Sequence, residues 1–315
     1  MRMRLPGFRE IALAAALLVL AAATGCGHKV DSKTKEGYDL VTAGKLDEAI
    51  ALANSVLADN PKHTGALNVL GLALYKSGDL PAAMATYQKA LEIDPKHAEV
   101  HFNLGNVYLA LKKWPEAEKE YDAAIKSQDK FVLARYNLGK VYEQTGRVDQ
   151  ALAQYKRAVD LDPQFFPAYM DIGKIQEASA DIDGAIASYK RALELQPTIK
   201  ELRVRLGNVY FKKGGDENLK HAEDEYRAAA GIDSSYVDAL YSMGVVVTGE
   251  GRDAEGAEWF RRALKASGEG ADTEITRIIR RYFNEKGIPE EGPTGDLPPA
   301  PVAADSAKVA PPPTT

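Results

Sequence analysis

Residues 132–163 read VLARYNLGKVYEQTGRVDQALAQYKRAVDLDP, and this stretch decides the fold of the chain. Its apolar residues recur at helical spacing in two runs, one around Gly139 and one around Tyr155. A glycine inside a helix costs about 1 kcal/mol relative to alanine. Because Gly139 lies within the first run, we infer that it lets another helix pack closely at this position.

The same pattern recurs every 34 residues, with one last step of 37. The glycine stands at Gly37, Gly71, Gly105, Gly139, Gly173, Gly207 and Gly244. A ladder of small residues follows at Ala49, Ala83, Ala117, Ala151, Ala185, Ala222 and Gly256, and a second one at Val56, Ala90, Ala124, Ala158, Ala192, Ala229 and Ala263. Between them lies a bulky ladder of Tyr87, Tyr121, Tyr155, Tyr189, Tyr226 and Phe260, with Ala53 as its weak first member. Proline follows at Pro61, Pro95, Pro163 and Pro197, where it ends the second helix.

A helix pair of this length, with this order of glycine, tyrosine, alanine, aromatic, alanine and proline, resembles the tetratricopeptide repeat. The resemblance covers about residues 30–270 and gives seven repeats, which begin near residues 30, 64, 98, 132, 166, 200 and 237. It implies an all-α, right-handed superhelical solenoid of about seven helix-turn-helix repeats. Repeat six carries three extra residues around Gly214–Asn218. We expect them to lengthen its inter-helix turn, either as a tolerated insertion or as a contact site.

Residues 1–25 predict a lipoprotein signal peptide. Three arginines precede an unbroken apolar run of 13 residues, Ile11–Ala23, which is too short to span a bilayer as a helix. The run leads into Ala23-Thr24-Gly25-Cys26, and Cys26 is the only cysteine of the chain. This segment resembles a bacterial lipobox, with Ala23 where leucine is commoner, and the resemblance implies cleavage before Cys26 and lipidation of that residue. The alternative is ordinary signal peptidase cleavage after Ala23, which leaves a free thiol.

Lipidation would determine where the protein resides. Two or more acyl chains on Cys26 would hold it stably on a membrane, and residues 26–33 leave only a short tether before the first helix. Gly27 stands where an aspartate, in Gram-negative lipoproteins, would suggest retention at the inner membrane. The sequence therefore predicts an exported, membrane-anchored lipoprotein, on the periplasmic face of the outer membrane in a Gram-negative cell.

Residues 271–287 predict a single amphipathic capping helix after the last repeat. Its apolar residues share one face by helical spacing, at Ile275, Ile278, Ile279, Tyr282 and Phe283. Such a stripe matches a helix that shields the end of a solenoid, and the alternative is a membrane-binding helix, given the arginines on its other faces. Residues 288–315 are rich in proline and alanine, which predicts a disordered tail. Pro298–Pro301 fits a PxxP pattern, although a spacer is the favoured interpretation.

The charge and motifs argue against several functions. The formal net charge of −5, without a basic cluster, is a poor match for nucleic-acid binding. The segment His97–His101 lacks the glutamate that a zinc protease needs directly after its first histidine, and Asp181–Gly184 lacks most of a calcium loop. Repeats and cap use nearly all the foldable chain. We therefore expect no enzyme, no cofactor, no metal and no small-molecule substrate.

The resemblance also implies a binding groove, lined by the first helix of each repeat, with positions 2, 5, 6, 9, 12 and 13 of a repeat on its surface. Repeats three to six then contribute these candidate partner-binding residues: Phe102, Asn103, Asn106, Tyr136, Asn137, Lys140, Met170, Asp171, Lys174, Arg205, Asn208 and Lys212. Asparagine offers both a donor and an acceptor to the backbone of an extended peptide. The four cations predict a locally basic floor that suits an acidic peptide or a C-terminal carboxylate. The alternative is a plain solvated helix face.

The sequence thus predicts a non-enzymatic, lipid-anchored interaction scaffold of the bacterial cell envelope, which binds a partner peptide or helix in its groove. Similar architecture occurs in pilotin lipoproteins that help assemble pilus secretins and in lipoprotein adaptors for peptidoglycan hydrolases, and no residue selects between them. The carboxylate clamp of chaperone-binding relatives is not reproduced, because Phe102 stands where lysine is expected before Asn106. The alternative function is an accessory factor in polysaccharide biosynthesis or export, with Phe102 and Tyr136 as aromatic contacts. An enzyme with a repeat appendage is the third hypothesis, and the missing catalytic domain counts against it.

Overall fold

The structure, a computed structural model, describes residues 31–268 and 270–291. The predicted signal peptide, the predicted lipidation site Cys26 and the proline-rich segment Pro298–Pro301 lie outside the described residues.

Within the described residues the chain forms fifteen α-helices and no β-strand. They are α1 (Ser32–Thr42), α2 (Leu46–Asp59), α3 (Thr64–Ser77), α4 (Leu80–Ile93), α5 (Ala98–Ala110), α6 (Trp114–Ser127), α7 (Val132–Gln144), α8 (Val148–Leu161), α9 (Phe166–Ala178), α10 (Ile182–Leu195), α11 (Lys200–Lys213), α12 (Asp216–Ile232), α13 (Val237–Gly249), α14 (Asp253–Ser267) and α15 (Glu274–Lys286). The odd-numbered helices α1 to α13 begin where the seven repeats are expected. In the part of the chain that the structure describes, no helix has both the length and the apolar character needed to cross a membrane.

Two compact units divide the chain, Met1–Ala168 and Tyr169–Thr315. In the first unit, α1 to α8 pack in sequence order, each against the next. The first helices of neighbouring repeats also touch: α3 contacts α5, and α5 contacts α7. In the second unit, α10 to α15 pack in the same consecutive manner, and α11 touches α13. These contacts confirm the predicted all-α solenoid of helix pairs within each unit.

The glycine and tyrosine ladders meet in the core of every repeat from two to six. A Cβ atom added at Gly139 would lie 2.5 Å from a ring carbon of Tyr155, far inside van der Waals contact. The same ring contact occurs in the other repeats, at Gly71 with Tyr87, Gly105 with Tyr121, Gly173 with Tyr189 and Gly207 with Tyr226. Tyr155 and Ala151 are fully buried. The glycines are therefore required by the close approach of a ring to the first helix, as the sequence predicts.

A second residue of each repeat adopts a left-handed backbone conformation at the turn between its two helices. Gly146 has φ +75° at this position, which glycine adopts without steric cost. Ala180, which stands 34 residues later, has φ +63° and carries a Cβ atom. Repeat five therefore contains a strained turn that repeat four avoids.

The three extra residues of repeat six do not lie where we expect them. The turn between α11 and α12 consists of Gly214 and Gly215 alone, whereas α12 has 17 residues. The second helices of the first five repeats have 14 residues each. The prediction of a lengthened turn is wrong, because Asp216 and Glu217 favour a helix N-terminus and the insertion extends α12 by almost one turn.

The helix α15 buries a stripe that differs from the predicted one. Ile279 and Phe283 are fully buried, and the ring of Phe260 on α14 contacts that of Tyr282 at 5.0 Å. Ile278 is 41% exposed, so its assignment to the buried face is wrong. Thr276 lies on that face instead, because its hydroxyl donates a hydrogen bond to the carbonyl of Ala271 and completes a capping box with Thr273.

Candidate functional site

We use the term first-helix face for the surface formed by α1, α3, α5 and α7 in the first unit, and by α9, α11 and α13 in the second. All twelve candidate residues lie on these helices, three on each of α5, α7, α9 and α11. Their surroundings differ between the two units.

A row of side-chain amides crosses the first-helix face of the first unit. Asn103 Nδ2 donates to Asn68 Oδ1 at 2.9 Å, and Asn68 in turn donates to the hydroxyl of Tyr38 at 2.6 Å. On the next pair of helices, Asn106 Oδ1 accepts from Asn137 Nδ2 at 2.8 Å. Of the predicted asparagines, Asn106 and Asn137 therefore pair across neighbouring repeats, whereas Asn103 pairs with Asn68, which is not a candidate. These bonds fix the orientation of the amides.

The same bonds leave defined polar groups for a ligand. Asn106 Oδ1 also accepts from the hydroxyl of Tyr121 at 2.8 Å, so both of its lone pairs are used and its Nδ2 donors are not. One turn away, Asn103 uses Nδ2, which leaves Oδ1 as an acceptor. Both side chains are half-buried. A donor and an acceptor thus stand side by side, as the N–H and C=O groups of an extended peptide require.

The predicted aromatic contacts of this unit serve packing. The ring centroid of Phe102 lies 5.0 Å from that of Phe131, in the turn before the next repeat. The ring centroids of Tyr136 and Phe165 lie 5.1 Å apart in the same way, and Tyr136 is only 6% exposed. Lys140 lies over the Tyr136 ring, 5.1 Å from its centroid. Rings engaged in this way offer little free surface for stacking on a sugar.

Each buried tyrosine of the core reaches the first-helix face with its hydroxyl. Tyr155 and Tyr189 donate to Glu143 and Glu177, at 2.9 Å and 2.8 Å. Burial and the adjacent Glu177 carboxylate raise the pKa of Tyr189 far above its ordinary value, so its hydroxyl stays a donor. Tyr87 is the exception, since its buried hydroxyl has no hydrogen-bond partner in the described part of the chain.

The cations of the second unit are largely neutralised. Lys174 binds Asp171 at 2.6 Å, and Arg205 binds Glu177 at 3.1 Å. Met170 and Asp171 are each only 6% exposed, so a partner would have little access to either side chain. Lys212 is exposed. The floor therefore carries less free positive charge than the sequence suggests, because Glu177, at position 12 of repeat five, pairs with Arg205 and is not one of the twelve candidates.

A pocket of about 150 Å³ opens on the first-helix face between α11 and α13. We call it the α11–α13 pocket; its lining residues are Asn208, Phe211, Tyr226, Tyr241, Ser242, Val245 and Val246. Phe211 is 42% exposed at its edge, and Asn208 accepts a hydrogen bond from the Tyr226 hydroxyl at 2.7 Å. Of the twelve candidates, only Asn208 lines this pocket.

Sequence reasoning missed the two most accessible aromatic walls of the pocket, and the signal to find them was present. Phe211 is position 12 of repeat six, and Tyr241 is position 5 of repeat seven. Both positions belong to the groove by the family pattern. Extending the same positions to the last repeat, and taking position 12 as well as 13 in repeat six, would have included both residues.

The other motifs serve the fold. His101 lies between Glu120 and the carbonyl of Pro95, with ring nitrogen distances of 2.6 Å and 3.0 Å. Asp181 caps the N-terminus of α10 by accepting from Gly184 N, and Asp183 binds Lys213 at 2.8 Å. Across residues 31–268 and 270–291, no three His, Cys, Asp or Glu side chains converge as metal ligands would.

Comparison with protein families gives three overlapping matches. A profile described as TPR repeat matches residues 71–112 and 181–214, and two profiles described as tetratricopeptide repeat match residues 102–164 and 40–89. Together these matches cover about half of the chain. A comparison with curated protein sequences gives no significant match.

Solved structures with similar folds include three repeat proteins. pilF from Pseudomonas aeruginosa is 20% identical, with a TM-score of 0.56, over 71% of this chain and 97% of that one. A tetratricopeptide repeat protein from Parabacteroides merdae is 17% identical, with a TM-score of 0.52, over 79% and 96%. YrrB, described as a TPR protein with an unusual peptide-binding site, is 24% identical, with a TM-score of 0.50, over 60% and 96%. At these identities the likeness is one of fold.

Proposed function

The chain belongs to the tetratricopeptide repeat family, and from this premise we propose that it is a non-enzymatic scaffold that binds an extended segment of a protein partner on its first-helix face. YrrB is described as having a peptide-binding site, and we propose the same kind of ligand for this chain.

One observation carries the proposal: the pairing of a free donor on Asn106 with a free acceptor on Asn103. Bonds to Asn137 and Asn68 hold both amides in place before any ligand arrives. A ligand therefore does not have to order these side chains, which lowers the entropic cost of binding. Each hydrogen bond to the ligand contributes about 0.5–1.5 kcal/mol, so the face gains affinity from several such contacts in series.

We further propose that Cys26 is lipidated and anchors the scaffold to a membrane of the bacterial envelope. The basis is the apolar run Ile11–Ala23 followed by the only cysteine of the chain. Assembly of a pilus or secretion machine and control of peptidoglycan hydrolases are the two roles that suit such an anchored scaffold. Replacing Cys26 with serine is expected to release the protein from membranes during fractionation; membrane association equal to that of the wild type would contradict the anchor.

The binding face is tested best by a substitution that removes only the free donors. Asn106→Asp keeps an oxygen to accept from Tyr121 and Asn137 but loses the Nδ2 donors. Gln150→Glu is the matched control, because it makes the same amide-to-acid change at an exposed position on α8. Both variants and the wild type are purified from native membranes, and the captured proteins are quantified by mass spectrometry.

A partner of the first-helix face is expected to be reduced about tenfold or more with Asn106→Asp and to be unchanged with Gln150→Glu. The melting curves of the three proteins establish that the comparison is made between folded chains. Equal capture by all three proteins would rule out the first unit's face as the binding site.

A further inference from the structure

The α11–α13 pocket has the size of one apolar side chain. Its volume of about 150 Å³ resembles that of an engineered cavity that accommodates benzene. Phe211 stands at its rim with 42% of its surface exposed, while Val246 at its base is almost fully buried. Exposed aromatic surface around a depression is typical of a site that another segment covers.

The chemistry of the walls indicates what kind of segment fits. Phe211, Tyr226 and Tyr241 give aromatic walls, and Asn208 and Ser242 place polar groups beside them. Aromatic-lined grooves of this kind bind proline-rich chains, whose extended conformation leaves every carbonyl free to accept a hydrogen bond. Lys212 follows Phe211 on an exposed position, so a carboxylate next to the apolar anchor would be favoured there.

One segment of this chain has these properties in the required order. Residues 296–302 read DLPPAPV, which places Asp296 directly before Leu297 and three prolines after it. Leu297 is the only leucine, isoleucine, methionine or aromatic residue after residue 291. A leucine side chain fits the pocket, and the proline rings can pack on the tyrosine walls.

Two contacts connect the described end of the chain to a residue of the pocket. Arg261 on α14 donates to the carbonyl of Pro289 at 3.0 Å, which holds the chain against the last repeat. Phe260, the neighbour of Arg261, contacts the pocket residue Tyr241 with ring centroids 5.9 Å apart. From Pro289 to Leu297 an extended chain spans up to about 28 Å. A tethered segment also has an effective concentration of about millimolar, which favours it over a second copy.

We propose that residues 296–302 of this chain occupy the α11–α13 pocket, with Leu297 as the anchor, and thereby compete with a partner for the first-helix face of the second unit. The inference rests on the proposed function in one respect, namely that this face binds extended segments. It goes beyond that function by naming an occupant from the chain itself and a means of regulation.

Methyl NMR spectroscopy of the full chain tests the proposal. Leucine methyl groups are isotopically labelled, and the Leu297 signals are identified by their loss in Leu297→Ala. In the pocket these methyl groups lie beside the rings of Phe211 and Tyr241, so we expect ring currents to move them upfield of the random-coil position. Phe211→Leu is expected to move them back, and Val148→Ala, which alters another exposed apolar residue, is expected to leave them in place.

Three outcomes would overturn the proposal. Random-coil Leu297 signals in the wild type would show that the pocket is empty of this segment. A displaced signal that is unaffected by Phe211→Leu, while the remaining leucine signals stay native, would place Leu297 elsewhere. A displacement that disappears on dilution would assign the contact to a second copy. The capture experiment with Asn106→Asp tests the first unit, whereas the NMR experiment tests the second. A failure of the proposed function and a failure of this proposal therefore give different results.

Discussion

The contact between Gly139 and Tyr155 allows a quantitative test of what holds each repeat together. Tyr155 is fully buried, its ring contacts that of Tyr136 at 5.4 Å, and its hydroxyl donates to Glu143. Tyr155→Ala is expected to reduce the free energy of unfolding by about 3–5 kcal/mol, the cost of removing a buried aromatic side chain and leaving a cavity.

The reverse perturbation adds volume at the same contact. Gly139→Ala places a methyl group 2.5 Å from the ring, and overpacking of this kind costs about 1–3 kcal/mol. Alanine is the better helix former by about 1 kcal/mol, so the net destabilisation in the wild type is expected to lie between about 0 and 2 kcal/mol. In the Tyr155→Ala background the ring is gone, and the same substitution is expected to stabilise by about 1 kcal/mol.

The assay is urea denaturation of the four proteins of this double-mutant cycle, followed by circular dichroism. Gly249→Ala is the control for helix propensity, because a Cβ atom added there has no neighbour within 4 Å. The reasoning predicts a coupling free energy of about 1–3 kcal/mol between the two sites. Stabilisation by Gly139→Ala in the wild type, equal to that by Gly249→Ala, would refute the view that the ring requires glycine.

Three further predictions concern single side chains. Burial alone would lower the pKa of His101, but its bonds to Glu120 and to a backbone carbonyl raise that pKa. The stabilisation of the fold by protonated His101 is therefore complete below about pH 6.5 and is lost as the pH rises through the raised pKa. His101→Gln should remove this loss of stability between about pH 6 and pH 9 in urea titrations. Tyr121→Phe should cost about 0.5–1.5 kcal/mol because it removes a satisfied hydroxyl, whereas Tyr87→Phe should be neutral or stabilising because that hydroxyl has no hydrogen-bond partner among residues 31–268 and 270–291; equal urea midpoints for both would contradict this assignment. Ala180→Gly should stabilise by roughly 1 kcal/mol because it relieves a left-handed alanine, and an unchanged midpoint would show that the turn is not strained.

The core of each repeat was predictable from the sequence because it depends on size alone. A glycine, two small residues and a ring recur at fixed spacing, and the helices of a pair can meet closely only at those positions. Gly139, Ala151 and Tyr155 therefore lie where the pattern places them. The extra residues of repeat six were predicted less well, because helix and turn compete for them and local propensity extends α12.

The candidate site was less predictable, because the side chains of the first-helix face bond to one another across repeats. Position rules place Met170 and Asp171 on the groove, but packing and the bond to Lys174 leave both almost buried. They also place Glu177 there, at position 12 of repeat five, but this carboxylate is not among the twelve candidates; it binds Arg205 and cancels part of the expected positive charge. Pairwise bonds between residues about 30 positions apart are not visible in the periodicity of one chain.

The buried tyrosines connect the core of each repeat to the first-helix face. Their rings set the spacing of the helices, and their hydroxyls reach the first-helix face, where each needs an acceptor. Asn106 fulfils this need in repeat three, whereas Leu72 stands at the equivalent position of repeat two, and the Tyr87 hydroxyl has no partner in the described part of the chain. A polar residue on the face can therefore serve the core, the ligand or both. Loss of binding in a variant identifies a ligand contact only where the substitution preserves the bond to the tyrosine, which is the reason to prefer Asn106→Asp over alanine.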